Sequence, residues 1–249
     1  AGVHTMHGPG AGTHRSPYSG RNAEYFSEDA MISYYCGRNI EEAMGAKGLA
    51  NNYKHFFLND QENGRQGIAT FSNEQAIREI YLRAYEGGLT SDGGLAIMTS
   101  YNRIGCIYMA AEPVTQYDLL RGEWGYEGYL MTDYIQGGEY SVTLDALMNG
   151  TNIFGGNDRA TEILQLVLRN RNTSGELVEK MQESAHRILW TYSKTSMMNG
   201  LTGDQTFSTT RQWWQNAILG AQIALGVVTV AAIGAYVFFQ YFKKEKAAV

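Results

Sequence analysis

The 249-residue sequence is poor in cysteine and proline, with two and three of them, and it has no excess of basic charge. Cys36 and Cys106 stand apart, without a CxxC pair or metal-ligand spacing, so they read as buried or inert thiols and say little about compartment. The 25 acidic and 20 basic residues leave a mild net charge of −5 and are scattered. With no basic stripe, nucleic acid is not an expected partner. No signal peptide opens the chain, which begins at Ala1 and therefore reads as a processed chain or a fragment. His4, His7 and His14 lack carboxylate or cysteine partners at ligand spacing, so no metal site is expected there. The stretch "GPGAG" (8–12) lacks the lysine and the serine or threonine of a phosphate loop and reads as a turn. No cofactor is implied.

What the chain does have is 17 tyrosines and 29 glycines, a composition suited to loops around a pocket for flat, hydroxylated ligands. Its length suffices for one large α/β domain. The run "AILGAQIALGVVTVAAIGAYVFF" (217–239) carries no charge, and only Gln222 and Thr229 are clearly polar. As a helix it spans about 35 Å, enough for a bilayer core. Trp213 and Trp214 precede it, Tyr236, Tyr241 and Phe242 lie near its end, and Lys243, Lys244 and Lys246 follow. That arrangement predicts a transmembrane helix over 213–242, a cytoplasmic tail over 243–249 and everything earlier outside the cell. Gly220, Ala224 and Gly234 offer a small-residue stripe, a common pattern that carries little weight.

Between residues 27 and 200 short apolar runs alternate with longer periodic ones, as in βα units, so 1–194 are expected to form the α/β domain and 195–212 read as a polar linker. Helices are predicted from a Ser27 cap to about Gly48, from Ser72 or Asn73 to Gly87 and Gly88, over "VTQYDLLRGEWG", over "VTLDALMNG", and then two more. The last of these starts at Thr173 and presents Leu177, Met181, Ala185, Ile188 and Leu189. Strands are predicted at "NYKHFF" (52–57), "GLAIMTSY" (94–101), "GYLMTDY" and "TNIFGG". These strands are apolar on both faces, which fits a parallel sheet covered by helices or closed as a barrel. About four strands are evident where closure takes eight. The fold class is therefore α/β, a partial TIM-type (β/α) barrel followed by a linker and one C-terminal transmembrane helix.

Three strands end in polar clusters: Lys54 and His55, then Tyr101, Asn102 and Arg103, then Asp133. In a (β/α) barrel such ends converge on the face that carries chemistry. Asp133, flanked by aromatics, reads either as a nucleophile or base, or as a cap for the next helix. Lys54 and His55 are adjacent, so within a strand they face opposite sides, and the pair also reads as a solvated boundary. Arg21 and Arg65 read as surface arginines beside loops rich in Asn and Gly.

The strings "THRSPYSGRNAEYFSED", "KHFFLNDQENGR", "MTSYNRIG", "DLLRGEWGYEGYLMTDY" and "ALMNGTNIF", in this order, resemble the barrel domain of family 3 glycoside hydrolases of the β-glucosidase type. The resemblance covers about residues 4 to 190. It implies that Asp133, at the position of the aspartate in the family's "SDW" motif, is the nucleophile of a retaining mechanism that forms a glycosyl-aspartate intermediate. It also implies that Arg21, Lys54, His55 and Arg65 bind sugar hydroxyls and that Tyr101 lies beside the nucleophile. The surrounding cations are expected to lower the pKa of Asp133. β-linked glucosides or oligosaccharides are the implied substrates, with xylosides or arabinosides as the alternative, and a non-catalytic, membrane-bound carbohydrate-binding remnant as the alternative from another class.

The departures from the family pattern are informative. Tyr134 stands where the family has tryptophan, giving a smaller stacking platform. The first barrel strands, with a sugar-binding aspartate, are not in this sequence. The acid/base glutamate comes in the family from a separate α/β-sandwich domain, so the acid/base is not expected in this chain. The resemblance suggests the subgroup in which that domain precedes the barrel on the same full-length chain. Glu24, Glu62 and Glu139 are placed by no motif in the acid role, and Glu62 is expected to support the loop around Arg65. The sister branch acting on N-acetylglucosaminides carries "KHFPG" where this sequence has "KHFFLNDQENGR", which disfavours it.

Overall fold

The computed structural model describes residues 2–135, 142–156, 161, 165, 168–169, 175–199 and 210–241. The chain divides into two compact units, Ala1–Leu201 and Thr202–Val249. In the first unit the strands are β1 (Thr5–Gly10), β2 (Ala50–Phe56), β3 (Ala69–Thr70), β4 (Ala96–Thr99), β5 (Arg103–Ile104), β6 (Ile107–Tyr108), β7 (Tyr129–Tyr134) and β8 (Ile153–Gly155). The main sheet has the order β1-β2-β4-β7-β8, and every pair in it is parallel. Each crossover carries helix: Ala30–Gly45, then Glu74–Leu89, then Val114–Glu123, then Thr143–Met148. The segments β3, β5 and β6 form a small second sheet that braces the loop after β4.

The main sheet thus holds five strands rather than four. The strand missed by sequence is β1, whose "TMHGPG" has four polar or glycine positions and no apolar alternation, and the "GPG" expected in a turn is part of it. The first helix is capped by Asp29, not Ser27: Asp29 Oδ1 accepts from the Met31 and Ile32 amides at 2.6 and 3.2 Å. Ser27 Oγ instead accepts from the Asp29 amide at 3.1 Å. Asn73 caps the second helix through the Ala76 amide at 2.8 Å, and that helix widens to π geometry over Ile77–Leu82. The proposed start at Thr173 and the helix before it lie outside the described residues, apart from isolated positions in the latter.

Strand alternation divides the apolar residues into two sets. Tyr53, Phe56, Ile97 and Leu130 pack with Leu82, Tyr85, Leu89 and Leu120 from the crossover helices. Ala50, Ala96, Met98, Tyr129 and Met131 form a second cluster, with Ile153, Ile188 and Trp190 packed on it. The last two come from the helix Gly175–Ser193. Of its expected stripe Leu177 is buried, Met181 and Ile188 are half-buried, and Ala185 and Leu189 are exposed, while Ser184 and Thr191 are buried in their place. The polar members of that stripe are matched: Thr191 Oγ1 donates to the Leu95 carbonyl at 3.0 Å and accepts from the Tyr129 amide at 3.1 Å. Ser184 Oγ accepts from Asn152 Nδ2 at 3.1 Å.

Two features of the first helix set its close packing. Gly37 faces β2 so tightly that a Cβ there would lie 1.8 Å from Tyr53 Oη. Glu41 is fully buried; its Oε1 accepts from Asn51 Nδ2 at 3.2 Å, and its Oε2 has no partner among the described residues. Burial pushes the Glu41 carboxyl up to about 9, only partly opposed by that hydrogen bond.

After Ser193 the chain keeps to the first unit for a further turn, with Thr195 buried and the Ser196 amide bonded to the Gly48 carbonyl at 2.7 Å. In the second unit Trp213–Tyr241 is one helix of 29 residues, exposed along its length, with a mean hydropathy of 2.1 in its most apolar window. At about 1.5 Å per residue it is about 44 Å long, enough by length and composition to cross a bilayer. Phe242 and the tail lysines lie outside the described residues.

Candidate active site

The C-terminal ends of β2, β4, β7 and β8 surround a cavity of about 700 Å³. Parallel strands joined by crossovers all end at the same side of a sheet, which is why residues far apart in sequence meet here. Arg21, Lys54, His55, Arg65, Tyr101, Asp133 and Tyr134, the seven residues singled out in the sequence, all line it. His7, Glu24, Met98, Met131 and Phe154 line it as well.

Asp133 sits near the end of β7, on the same side of the strand as Met131. Its Oδ1 accepts from the Tyr134 amide at 2.7 Å, and its Oδ2 lies 3.4 Å from His55 Nε2. The next described helix begins after Val142, which makes no side-chain cap bond, so Asp133 caps no helix among the described residues. Its pKa is raised rather than lowered, contrary to the expectation from sequence. Burial dominates, and the Tyr134 amide with the charges on Arg65, Arg21 and Lys54 only opposes it.

His55 is 3 % exposed, and its carbonyl accepts from Tyr85 Oη at 2.7 Å. Burial first, then Arg21, Lys54 and Arg65, push its pKa down to about 2. The ring is therefore neutral, and its contact with Asp133 is dipolar rather than an ion pair. Arg21 Nη1 lies 3.1 Å from the ring nitrogens. A guanidinium can only donate, so one nitrogen accepts from it and the N–H on Nε2 is left to face Asp133. Lys54 points into the same cavity and pairs with Glu24 at 3.4 Å. Strand pairing is irregular between Tyr53 and Phe56, and the neighbours Lys54 and His55 both line the cavity rather than taking opposite faces.

The two arginines come from loops rather than strands. Arg21 follows β1 and reaches Glu24 at 3.4 Å and Glu62 at 2.5 Å. Arg65 follows β2, lies 4.0 Å over the Tyr101 ring and donates to Glu62 at 2.6 Å. Tyr101 Oη donates to the Tyr134 carbonyl, tying the end of β4 to that of β7. Burial, then the charge of Asp133, raise the Tyr101 hydroxyl to about 12. The Tyr134 ring is 69 % exposed, at the mouth of the cavity.

Sequence reasoning gave no role to His7, on the missed strand, and tied Glu62 to the loop around Arg65, as found, without foreseeing its grip on Arg21. For Glu24 a signal existed, since it stands three residues after Arg21 and forms an i,i+3 pair with it. The three early histidines go to separate partners: His4 to Ser196 Oγ, His7 to Asn52 Nδ2 and His14 to the Tyr25 carbonyl. Glu139 lies outside the described residues.

A probable beta-glucosidase I from Emericella nidulans is 35% identical over 156 residues, covering 61% of this chain and 18% of that protein. A beta-glucosidase from Ruminococcus albus is 35% identical over 132 residues, 53% of this chain and 14% of its own length. Among solved structures, beta-glucosidase 3B from Thermotoga neapolitana in complex with glucose matches with a TM-score of 0.71 and 28% identity, over 80% of this chain and 28% of that one. The GH3 beta-glucosidase of Bifidobacterium adolescentis matches with 0.69 and 28%, over 83% and 30%. The chain thus spans less than a third of the length of these relatives. The model of the glycosyl hydrolase family 3 N terminal domain matches residues 1–190, and the chain belongs to that family.

Proposed function

We propose that this chain carries the nucleophile and sugar-binding half of a retaining, exo-acting glycoside hydrolase that removes terminal β-D-glucosyl residues. The observation that carries the reading is the placing of Asp133, with one oxygen held by the Tyr134 amide and the other facing a cavity lined by Arg21, Lys54, His55 and Arg65. On this reading Asp133 Oδ2 bonds to the anomeric carbon as the glycosidic C–O bond breaks, through an oxocarbenium-like transition state. The leaving oxygen takes a proton from an acid, and water then attacks the anomeric carbon and releases Asp133. Lys54, the His55 N–H and the two guanidinium groups hold sugar hydroxyls, and Tyr134 offers a stacking face at the mouth. Of the other lining residues only Glu24 is a carboxylate, and it is engaged by Arg21 and Lys54. Among the described lining residues none is thus free for the acid role, and the family resemblance assigns the acid/base to an α/β-sandwich domain on the full-length protein.

The order β1-β2-β4-β7-β8 never reverses, so right-handed crossovers put every crossover helix on one face, as in a sector of a (β/α) barrel. The Trp213–Tyr241 helix would anchor the protein as a single membrane span, with the glycosidase part outside and the C-terminus in the cytoplasm.

A 2,4-dinitrophenyl 2-deoxy-2-fluoro-β-glucoside tests the chemistry, because its leaving group needs no acid. We expect mass spectrometry to find the fluoroglucosyl adduct on Asp133 and no adduct in Asp133→Asn. Binding of glucose without labelling would instead support the non-catalytic carbohydrate-binding reading. Labelling that survives Asp133→Asn would refute the nucleophile assignment.

A further inference from the structure

Glu62 does not line the cavity, yet its carboxylate holds two residues that do. Its Oε1 accepts from Arg21 Nε at 2.5 Å and from Asn59 Nδ2 at 2.9 Å. Its Oε2 accepts from Arg65 Nη1 at 2.6 Å. Its own amide donates to the Ser19 carbonyl at 3.1 Å, and its carbonyl accepts from the Arg65 amide at 3.2 Å. Gly20, at φ 85°, sits against it so closely that a Cβ there would come within 3.2 Å of Glu62 Cβ and Cγ. The loop after β1 and the loop after β2 thus meet on this side chain.

We propose that Glu62 is the positioning residue of the sugar subsite, a single carboxylate that fixes Arg21 and Arg65 as a pair and so aims their remaining N–H groups into the cavity. A guanidinium is planar, so one strong bond at one edge sets the direction of its other donors. With Glu62 holding one edge, Arg21 reaches His55, and Arg65 lies flat over Tyr101. A lone arginine on a loop would lose rotamer freedom when it bound a hydroxyl, whereas here that freedom is already spent. The carboxylate also offsets charge. Asp133 faces Arg21, Lys54, Arg65, the neutral ring of His55 and the Tyr101 hydroxyl, and Glu62 is the acid that balances the two arginines. Burial opposes the ionised form of Glu62, but the hydrogen bonds from Arg21 and Asn59 and the two positive charges outweigh it.

The inference rests on the glycosidase reading for the identity of the ligand, and the test separates the two. In the full 249-residue chain, reconstituted in nanodiscs, we would measure glucose affinity, labelling by the fluoroglucoside, and the titration of Asp133 by carbon-13 NMR. Glu62→Gln keeps the shape and removes the charge. It should weaken glucose and raise the half-saturating fluoroglucoside concentration by about tenfold or more, with a smaller fall in the limiting labelling rate. The Asp133 midpoint should move to lower pH, because the negative charge that Glu62 sets against the two arginines is then gone. A residue that only stapled the loops would lower the melting temperature and leave the midpoint and the ratio of affinity to rate unchanged, which would overturn the proposal. Glu62→Asp keeps the charge but is one methylene shorter and cannot grip both arginines at full length. It should weaken glucose with little movement of the midpoint, and unchanged affinity in that variant would also overturn the proposal. If wild type is never labelled while the midpoint still moves in Glu62→Gln, the glycosidase reading fails and the positioning role stands.

Discussion

The buried carboxyl of Glu41 should make the first unit lose stability as pH rises through neutrality. In the folded chain Glu41 holds its proton up to about 9, whereas its ordinary value is 4.5. Because the folded pKa is the higher one, the folded state binds more protons between those values, and stability falls across that window. Each pH unit within it costs about 1.4 kcal/mol, so between about pH 5 and about pH 7.5 the loss is on the order of 3 kcal/mol. Glu41→Gln replaces the carboxyl with a neutral group of the same shape that can still accept from Asn51. Urea unfolding of both proteins, followed by near-ultraviolet circular dichroism, would measure the effect at the two pH values. The variant should be close to wild type at the acid end and more stable by about 3 kcal/mol at the upper end. Taking the difference between the two proteins cancels the other titrating groups. Equal pH dependence in the two would show that Glu41 ionises freely in the fold and would refute the reasoning.

Gly37→Ala should cost about 1–3 kcal/mol by overpacking, since its Cβ would meet Tyr53 Oη at 1.8 Å, and Tyr53→Phe should recover part of that loss in the double variant's denaturation curve. The rate of fluoroglucoside labelling should fall on acidification at a pH above that of an unperturbed aspartate, because burial raises the Asp133 pKa and only the ionised form attacks; an acid limb at or below the ordinary value would contradict this. The Trp213–Tyr241 helix should hold the protein in the pellet when membranes are washed with alkaline carbonate, and release into the supernatant would rule out the span.

How much of this was legible in the sequence depended on the range of each interaction. Lys54, His55, Tyr101 and Asp133 could be picked out because each follows an apolar strand, and strand ends converge in a parallel α/β sheet. The first strand was not legible, because a run of "TMHGPG" carries neither alternation nor β-branched residues beyond its first threonine. The buried stripe of the Gly175–Ser193 helix was misplaced toward Leu189, since Ser184 and Thr191 are buried for their hydrogen bonds to Asn152, Leu95 and Tyr129. The direction of the Asp133 shift was missed because neighbouring cations can be listed from sequence and the depth of burial cannot. The partnership of Glu62 with Arg21, 41 positions earlier, is a tertiary contact that no local spacing announces.

A sheet whose strands add in chain order, β1-β2-β4-β7-β8, can be lengthened or shortened at either margin without rethreading its middle. The lining side chains of β2, β4 and β7 come from three adjacent units, and each of their separations is fixed by a strand pairing or by a contact between neighbours. The geometry around Asp133 is therefore a property of this sector of the sheet. Gain or loss of further strands at a margin would change what walls the cavity without moving the carboxylate relative to His55 and Tyr101.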